Sequence, residues 1–377
     1  MRRDIAVVGA GAIGLDVAWQ AAELGLKVDI FEIGKPGRGA SSVAAGVLSP
    51  VDLDSWKGTP GLFNSRAVKA WPDYVARLNE KASIEVKLRE DGIVHVPFTP
   101  DEIEVLEQIH LLSSELGVES ELLQYRELSE VVDGLRNFEG KAIFYREGAS
   151  VDPEQLIVAQ RQASEALGVA FLQAEVVDVD LTEDGDVVVR TSGGSARSYG
   201  QLVIATGAWT GSIQWIKPEL QVPVEPIRGD VLVAEDQSSH RDNRTSKHEP
   251  VTRSFGGSIT PRGGGLYALG VTKKATRLDD LDPELKGIAH IIDNASKLKP
   301  HMSELRLREI RTGFRPATPD GLPALGRVDS TGLIFAVGHG AHGILQAPVS
   351  TEIILAELGV APNVDLGDSV SPSRFRT

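Results

Sequence analysis

Three groups of residues in this chain have the types and spacing to do chemistry. The first is Gly9-Ala10-Gly11-Ala12-Ile13-Gly14, which follows an apolar run and opens an Ala-rich segment of helical period. Glycines at those places permit a tight turn, close approach of the backbone to a pyrophosphate, and close helix–strand packing. The N–H groups that open the helix then face the phosphates. Glu32 stands 21 residues after Gly11, where a carboxylate accepts hydrogen bonds from both ribose hydroxyls of an adenosine and repels a 2′-phosphate. The second group is the run of small residues within Gly37–Pro50. It reads either as a helix start packed closely on a sheet, or as backbone threaded between a pyrophosphate and a flat ring. In the latter case Ser41 and Ser42 supply hydroxyls to phosphate oxygens, while Ala45, Gly46 and Val47 lie along the ring. The third group is Phe314-Arg315-Pro316 together with the glycine turn Gly338–Gly343, which holds His339 and His342. Arg315 has the geometry to grip a carboxylate through two parallel hydrogen bonds, or to be a structural arginine on a buried Asp or on helix carbonyls. The two histidines are candidate bases or turn residues, and no third ligand is evident for a metal.

Elements must position these groups. Ile5–Val8 is a short apolar run suited to a strand buried on both faces, followed by a helix from Ala12 to Leu24 and a strand over Lys27–Glu32. Periodicity predicts helices near Phe63–Asn79, Asp101–Leu116, Pro153–Leu167, Pro283–Ser296 and Ile344–Leu358. Val176–Asp180 and Asp186–Arg190 read as a hairpin, and Gln201–Ala205 as a further buried strand ending at Thr206-Gly207. Val222–Ala234, and the pair Ser258–Thr260 with Leu266–Val271 turned at Pro261–Gly265, read as antiparallel strands. The polar stretch Gln237–Lys247 reads as a surface loop. Nucleotide-type α/β signals at the start, middle and end, with antiparallel signals between them, predict one discontinuous nucleotide domain and a second domain inserted in two pieces.

Composition limits the chemistry. The 377 residues carry a net charge of −14, which argues against nucleic acid and against an anionic membrane surface as partners. The absence of cysteine excludes disulfides, thiolate catalysis and iron–sulfur clusters. No apolar run reaches the roughly 18 residues of a membrane span, and the N-terminal residues run straight into the first strand. A cytoplasmic protein is expected.

Four ordered segments carry a resemblance. Gly39–Pro50, Val203–Gly211, Gly313–Gly326 and Gly338–Pro348 resemble, in that order, the motifs of the D-amino-acid-oxidase-like flavoproteins, above all the glycine oxidase and sarcosine oxidase type. The resemblance spans residues 3 to about 360. It implies an α/β fold: a Rossmann-like FAD-binding domain (1–85, 143–218 and 308–377) with an inserted antiparallel-sheet substrate domain (86–142 and 219–307). It implies bound FAD, touched by Gly9, Gly11, Ile13, Gly14, Glu32, Ser41, Ser42, Ala44, Ala45, Gly46, Val47, Val176, Thr206, Gly207, Trp209, Gly338, His339, Gly343, Ile344 and Leu345. It implies that Arg315 holds the carboxylate of an amino-acid substrate. Hydride transfer to the flavin gives an imine, water cleaves the imine, and O2 is reduced to hydrogen peroxide.

The pocket departs from the family pattern at three places. Ser258 replaces a Tyr, Ala341 an Arg and Lys273 a Met, and Val47 and His342 complete the expected lining. The added room implies a substrate larger than glycine, an N-substituted glycine. With no Cys, and no His before His95, the FAD is expected to be non-covalent. Lys273 reads as a solvated loop lysine or, with Arg262, as a positive group to be tested as counterweight to the negative overall charge around the substrate. A homo-oligomer is compatible with the family.

Overall fold

The computed structural model describes residues 3–53, 56, 59–237, 249–328, 331–364 and 368–376. The polar stretch after Gln237 lies outside the described residues. Two large sheets carry the fold. The first runs, edge to edge, Ala324–Arg327 (β18), Leu333–Val337 (β19), Ala196–Ile204 (β11), Arg3–Val8 (β1), Val28–Glu32 (β2) and Ala170–Gln173 (β8), with Val187–Thr191 (β10) and Val176–Leu181 (β9) folded back from β11. Its central strands are parallel. They are continuous apolar runs because both faces are covered. Ala12–Glu23 (α1), Thr59–Lys81 (α3), Pro153–Ala166 (α6) and Gly343–Glu357 (α8) cover one face, burying Leu15, Trp19, Phe63, Trp71, Leu156 and Ile354 against Val7 and Ile30.

The second sheet runs Lys274–Ala275 (β16), Glu225–Glu235 (β12), Leu266–Gly270 (β15), Gly257–Gly263 (β14), Val251–Ser254 (β13), Ile93–His95 (β4), Ala142–Tyr145 (β6) and Glu121–Leu123 (β5), with Arg306–Ala317 (β17) on the other flank of β12. The remaining elements are a small pair, Val47–Leu48 (β3) and Ala149–Ser150 (β7), and the helices Ala40–Val43 (α2), Pro100–Glu115 (α4), Tyr125–Leu128 (α5) and Leu285–Leu298 (α7). All five predicted helices are present within four residues at each end. The longest extension is at α3, which begins at Thr59. The expected domain breaks at 142/143 and 307/308 fall inside β6 and β17, both hydrogen-bonded into the second sheet. We propose boundaries drawn by sheet membership, with both strands whole in the second unit.

Register decides what each face of the second sheet can do, because paired residues share a face and residues two apart share it again. One face carries Val94, Leu232, Ile259 and Leu269 and packs on Ile291, Ala295 and Leu298 of α7. The opposite face carries Ile227 with Arg315, then Gly229 with Gly313, then the row Val231, Gly270, Ser258, Arg253, His95 and Ile143. This face meets the nucleotide unit. A Cβ on Gly313 would lie 2.6 Å from Val43, Arg311 donates to the Ser42 carbonyl at 3.2 Å, and Arg262 donates to the Ala44 carbonyl at 3.0 Å.

His95 is fully buried in that row, edge-on to Tyr145. Burial first, and the nearby Arg253 second, push its pKa down to about 3. The unfolded chain therefore takes up a proton near pH 6.5 that the folded chain refuses. Stability is full above that pH and falls as pH drops toward 3. At pH 4.5 the linkage from this one group is about 2–3 kcal/mol. His95→Phe is expected to flatten the fall in Tm between pH 7 and 4.5; an unchanged acid slope would refute this assignment.

Candidate active site

The cradle at the start of the chain is built from backbone. Gly9 adopts φ +103°, and a Cβ there would meet the Ala205 carbonyl oxygen at 2.5 Å. Gly14 packs still closer, with a would-be Cβ 1.9 Å from the Gly9 carbonyl oxygen. Gly11 is the N-cap of α1 and has no side chain to cap it. Ser41 takes that part from another segment: its Oγ accepts from Ala12 N at 3.0 Å. Ser42, the second expected phosphate hydroxyl, has the carbonyls of Gly39 and Arg38 within reach of its O–H at 3.1 and 3.2 Å. Glu32 closes β2 with one carboxylate oxygen accepting from Ala10 N at 2.9 Å and the other from Gly34 N at 2.8 Å. The carboxylate is thereby fixed beside the glycine turn, and each oxygen keeps a second lone pair for a ribose hydroxyl. Val176, the expected adenine neighbour, is buried at the start of β9.

The other small-residue segments converge on the same place. Gly46 turns the chain at φ +80°, and its neighbour Val47 pairs with Ser150. Trp209 stands against Gly39 and meets Phe314 edge-on at 6.4 Å. Thr206 opens the short turn Gly207–Ser212 and bonds Thr210. These contacts bring residues 39–47, 206–209 and 314 to one site.

The terminal glycine turn completes it. Gly338 has φ +81°, His342 is the N-cap of α8, and Gly343, Ile344 and Leu345 form its first turn. The N–H groups of that turn have no acceptor within the helix, and the dipole there favours negative charge. A reduced flavin gains negative charge at its pyrimidine end, and these groups would stabilise it. His339 is buried and bonds Ser350 of α8 at 3.0 Å. Burial, then the neighbouring His342, push its pKa down to about 3. It is therefore neutral at physiological pH and acts as a turn-anchoring residue. Among the described residues no group of three or more His, Asp or Glu could hold a metal. The cradle, the ribose carboxylate and the helix terminus fit FAD.

Arg315 projects from β17 on the face toward the nucleotide unit. Its guanidinium lies flat on Gly229: a Cβ there would be 2.3–2.5 Å from Nη2, Cζ and Nη1. Nη1 donates to the Thr272 carbonyl at 3.0 Å and to the Arg228 carbonyl at 3.5 Å. Ser258 stands on the same face, opposite Gly270. Lys273 and Ala341 are exposed, and His342 is half-buried. Arg262, the other candidate counter-charge, is buried against Asp152 at 3.4 Å and donates to the Ala44 carbonyl at 3.0 Å. Sequence reasoning missed Gly229 and Thr272. The available signal was a glycine inside a strand, which marks close approach by another group.

The comparisons agree with this geometry. Residues 4–358 match the family model described as FAD dependent oxidoreductase (DAO). The chain is 29% identical over 359 residues to the glycine oxidase of Bacillus licheniformis, covering 94% of this chain and 92% of that one. The crystal structure of glycine oxidase from Geobacillus kaustophilus superposes with a TM-score of 0.91 at 26% identity, over the whole of both chains. Iminodiacetate oxidase from Chelativorans sp. BNC1 shares the fold, with a TM-score of 0.86 at 21% identity over 98% of each chain. With a glycine-rich turn at one end, a glycine-turn helix terminus at the other and a match running through both, the chain belongs to the DAO family of FAD-dependent oxidoreductases.

Proposed function

We propose that this enzyme oxidises an N-substituted glycine with O2, giving glyoxylate, the freed amine and hydrogen peroxide. The observation that supports the reading is the placement of Arg315 on Gly229, on the sheet face that also carries the small residues Gly270 and Ser258. Arg315 on β17 and Ser258 on β14 are four residues and three strands apart. At about 3.3 Å per residue and 4.8 Å per strand, this separates their α-carbons by roughly 20 Å. Free glycine spans a small part of that distance, and a substituent on nitrogen fills more of it.

FAD, when bound, accepts the electron pair and hydrogen from the substrate Cα and passes two electrons to O2. Arg315 fixes the carboxylate, and that fixation orients the Cα–H bond. Water then adds to the released imine, whose C–N bond breaks to give glyoxylate and the amine. The buried, neutral His339 takes no part in moving a proton. The FAD is non-covalent in this reading, since the chain has no Cys and its first His, His95, is buried in the second sheet.

Steady-state assays in air, with peroxide measured, test the proposal across glycine, sarcosine, N-ethylglycine and larger N-alkylglycines. At least one N-alkylglycine is expected to exceed glycine about tenfold in kcat/KM. Glycine ahead of every N-alkylglycine would refute the substrate reading, and flavin reduction without peroxide would refute the oxidase reading.

A further inference from the structure

The guanidinium of Arg315 is held by a chain of contacts that begins on the opposite side of the second sheet. Asp230 follows Gly229 on β12 and is 1% exposed. Its carboxylate accepts from Thr272 Oγ1 at 2.7 Å and from Thr312 Oγ1 at 2.8 Å. Thr272 Oγ1 in turn accepts from Asp230 N at 2.8 Å, so this hydroxyl is used as donor and acceptor by one residue. The Thr272 backbone N–H donates to the Asp230 carbonyl at 3.3 Å. Thr272 is therefore fixed at its N–H and at its hydroxyl, and its carbonyl receives Arg315 Nη1 at 3.0 Å. Gly287 of α7 makes space for the arrangement: a Cβ there would be 3.0 Å from Thr272 Cγ2 and 3.4 Å from Asp230 Oδ2. The same segment is tied down further along by Arg228, which donates to Asp280 at 2.6 Å, and by Thr276, which donates to the same carboxylate at 2.8 Å.

We infer that Asp230 and Thr272 are positioning residues that set the plane of the Arg315 guanidinium, and hence the affinity for the substrate carboxylate. The inference rests on Arg315 as the carboxylate site. Two features make the device specific. Thr312, the other hydroxyl on Asp230, lies on β17 three residues before Arg315, so both ends of the arginine's surroundings are referred to one carboxylate. In addition, Gly229 offers a floor without a side chain, and the Thr272 carbonyl supplies a sideways reference. A planar guanidinium grips a carboxylate by two parallel bonds only when its orientation is set.

The test uses acetate as a non-reacting carboxylate, titrated into the oxidised holoenzyme and followed by the change in flavin absorbance. Thr272→Val is expected to raise the acetate Kd at least tenfold and the KM of the best substrate similarly. The kcat should fall less than threefold, and FAD content should stay at that of the parent. Thr272→Ser restores the hydroxyl and is expected to return both constants to within threefold. If Thr272→Val does not yield soluble protein, Asp230→Asn, which keeps one acceptor oxygen, reads the same constants with an expected intermediate rise. A Kd within twofold of the parent in these variants overturns the inference, provided Arg315→Ala abolishes acetate binding. If Arg315→Ala binds acetate as the parent does, the carboxylate reading itself has failed.

Discussion

Replacing Gly229 with alanine is expected to lower kcat/KM by at least about a hundredfold while leaving the flavoprotein folded and yellow. A Cβ at this position would enter 2.3–2.5 Å from three atoms of the Arg315 guanidinium, well inside van der Waals contact. The colliding group is the far end of a flexible side chain, so the conflict is relieved by moving the guanidinium and not by moving a strand. The cost therefore falls on function. A displacement of about 1 Å at a substrate-positioning group is enough for a hundredfold loss. Most of the loss should appear in KM, because the contact that moves is one the substrate makes before it reacts. Near-parent Tm and FAD content, with carboxylate affinity gone, is the expected signature. An unchanged KM would show that the substrate carboxylate does not depend on this platform.

The second large effect is expected at Gly14. Here the added Cβ would lie 1.9 Å from the Gly9 carbonyl oxygen and 3.1 Å from its carbonyl carbon. Both atoms are backbone and cannot swing aside. Relief requires α1 to move away from the β1 turn, and α1 is pinned from behind. Asp16 is fully buried and accepts from Trp19 Nε1 at 2.8 Å, Gln20 Nε2 at 3.1 Å and Thr351 Oγ1 at 2.7 Å, the last from α8. Gly14→Ala is thus expected to cost about 1–3 kcal/mol through overpacking and to open the pyrophosphate cradle. Purified protein should be mostly apoprotein, and FAD titration by flavin fluorescence quenching should show affinity reduced at least a hundredfold. Full FAD occupancy after purification would be inconsistent with this packing.

The two variants mark the boundary between what the sequence disclosed and what it did not. The Gly14 neighbourhood was readable because its partners are local: Gly9, Gly11 and Glu32 all sit within one βαβ unit. The terminal helix was readable for a similar reason, since a glycine turn followed by an apolar run specifies both its start and its burial. Gly229 was not readable. Its partner lies 86 residues away, and it is strand register that lays one over the other. The ion pair of Arg262 was not readable for the same cause, because its partner Asp152 is 110 residues distant. The sheet that Ala142–Tyr145 joins was not readable either, since four residues are too few for periodicity to decide it.

The order of strands in the first sheet also dictates an order in time. Strand β1 pairs early with β2, but its other neighbour is β11, which ends at Ile204. The terminal helix begins only at Gly343. A chain emerging from the ribosome therefore carries the glycine-rich turn through most of its synthesis with one edge of β1 unpaired, and open edges invite intermolecular pairing. The whole site is complete only once residues made last have returned to those made first.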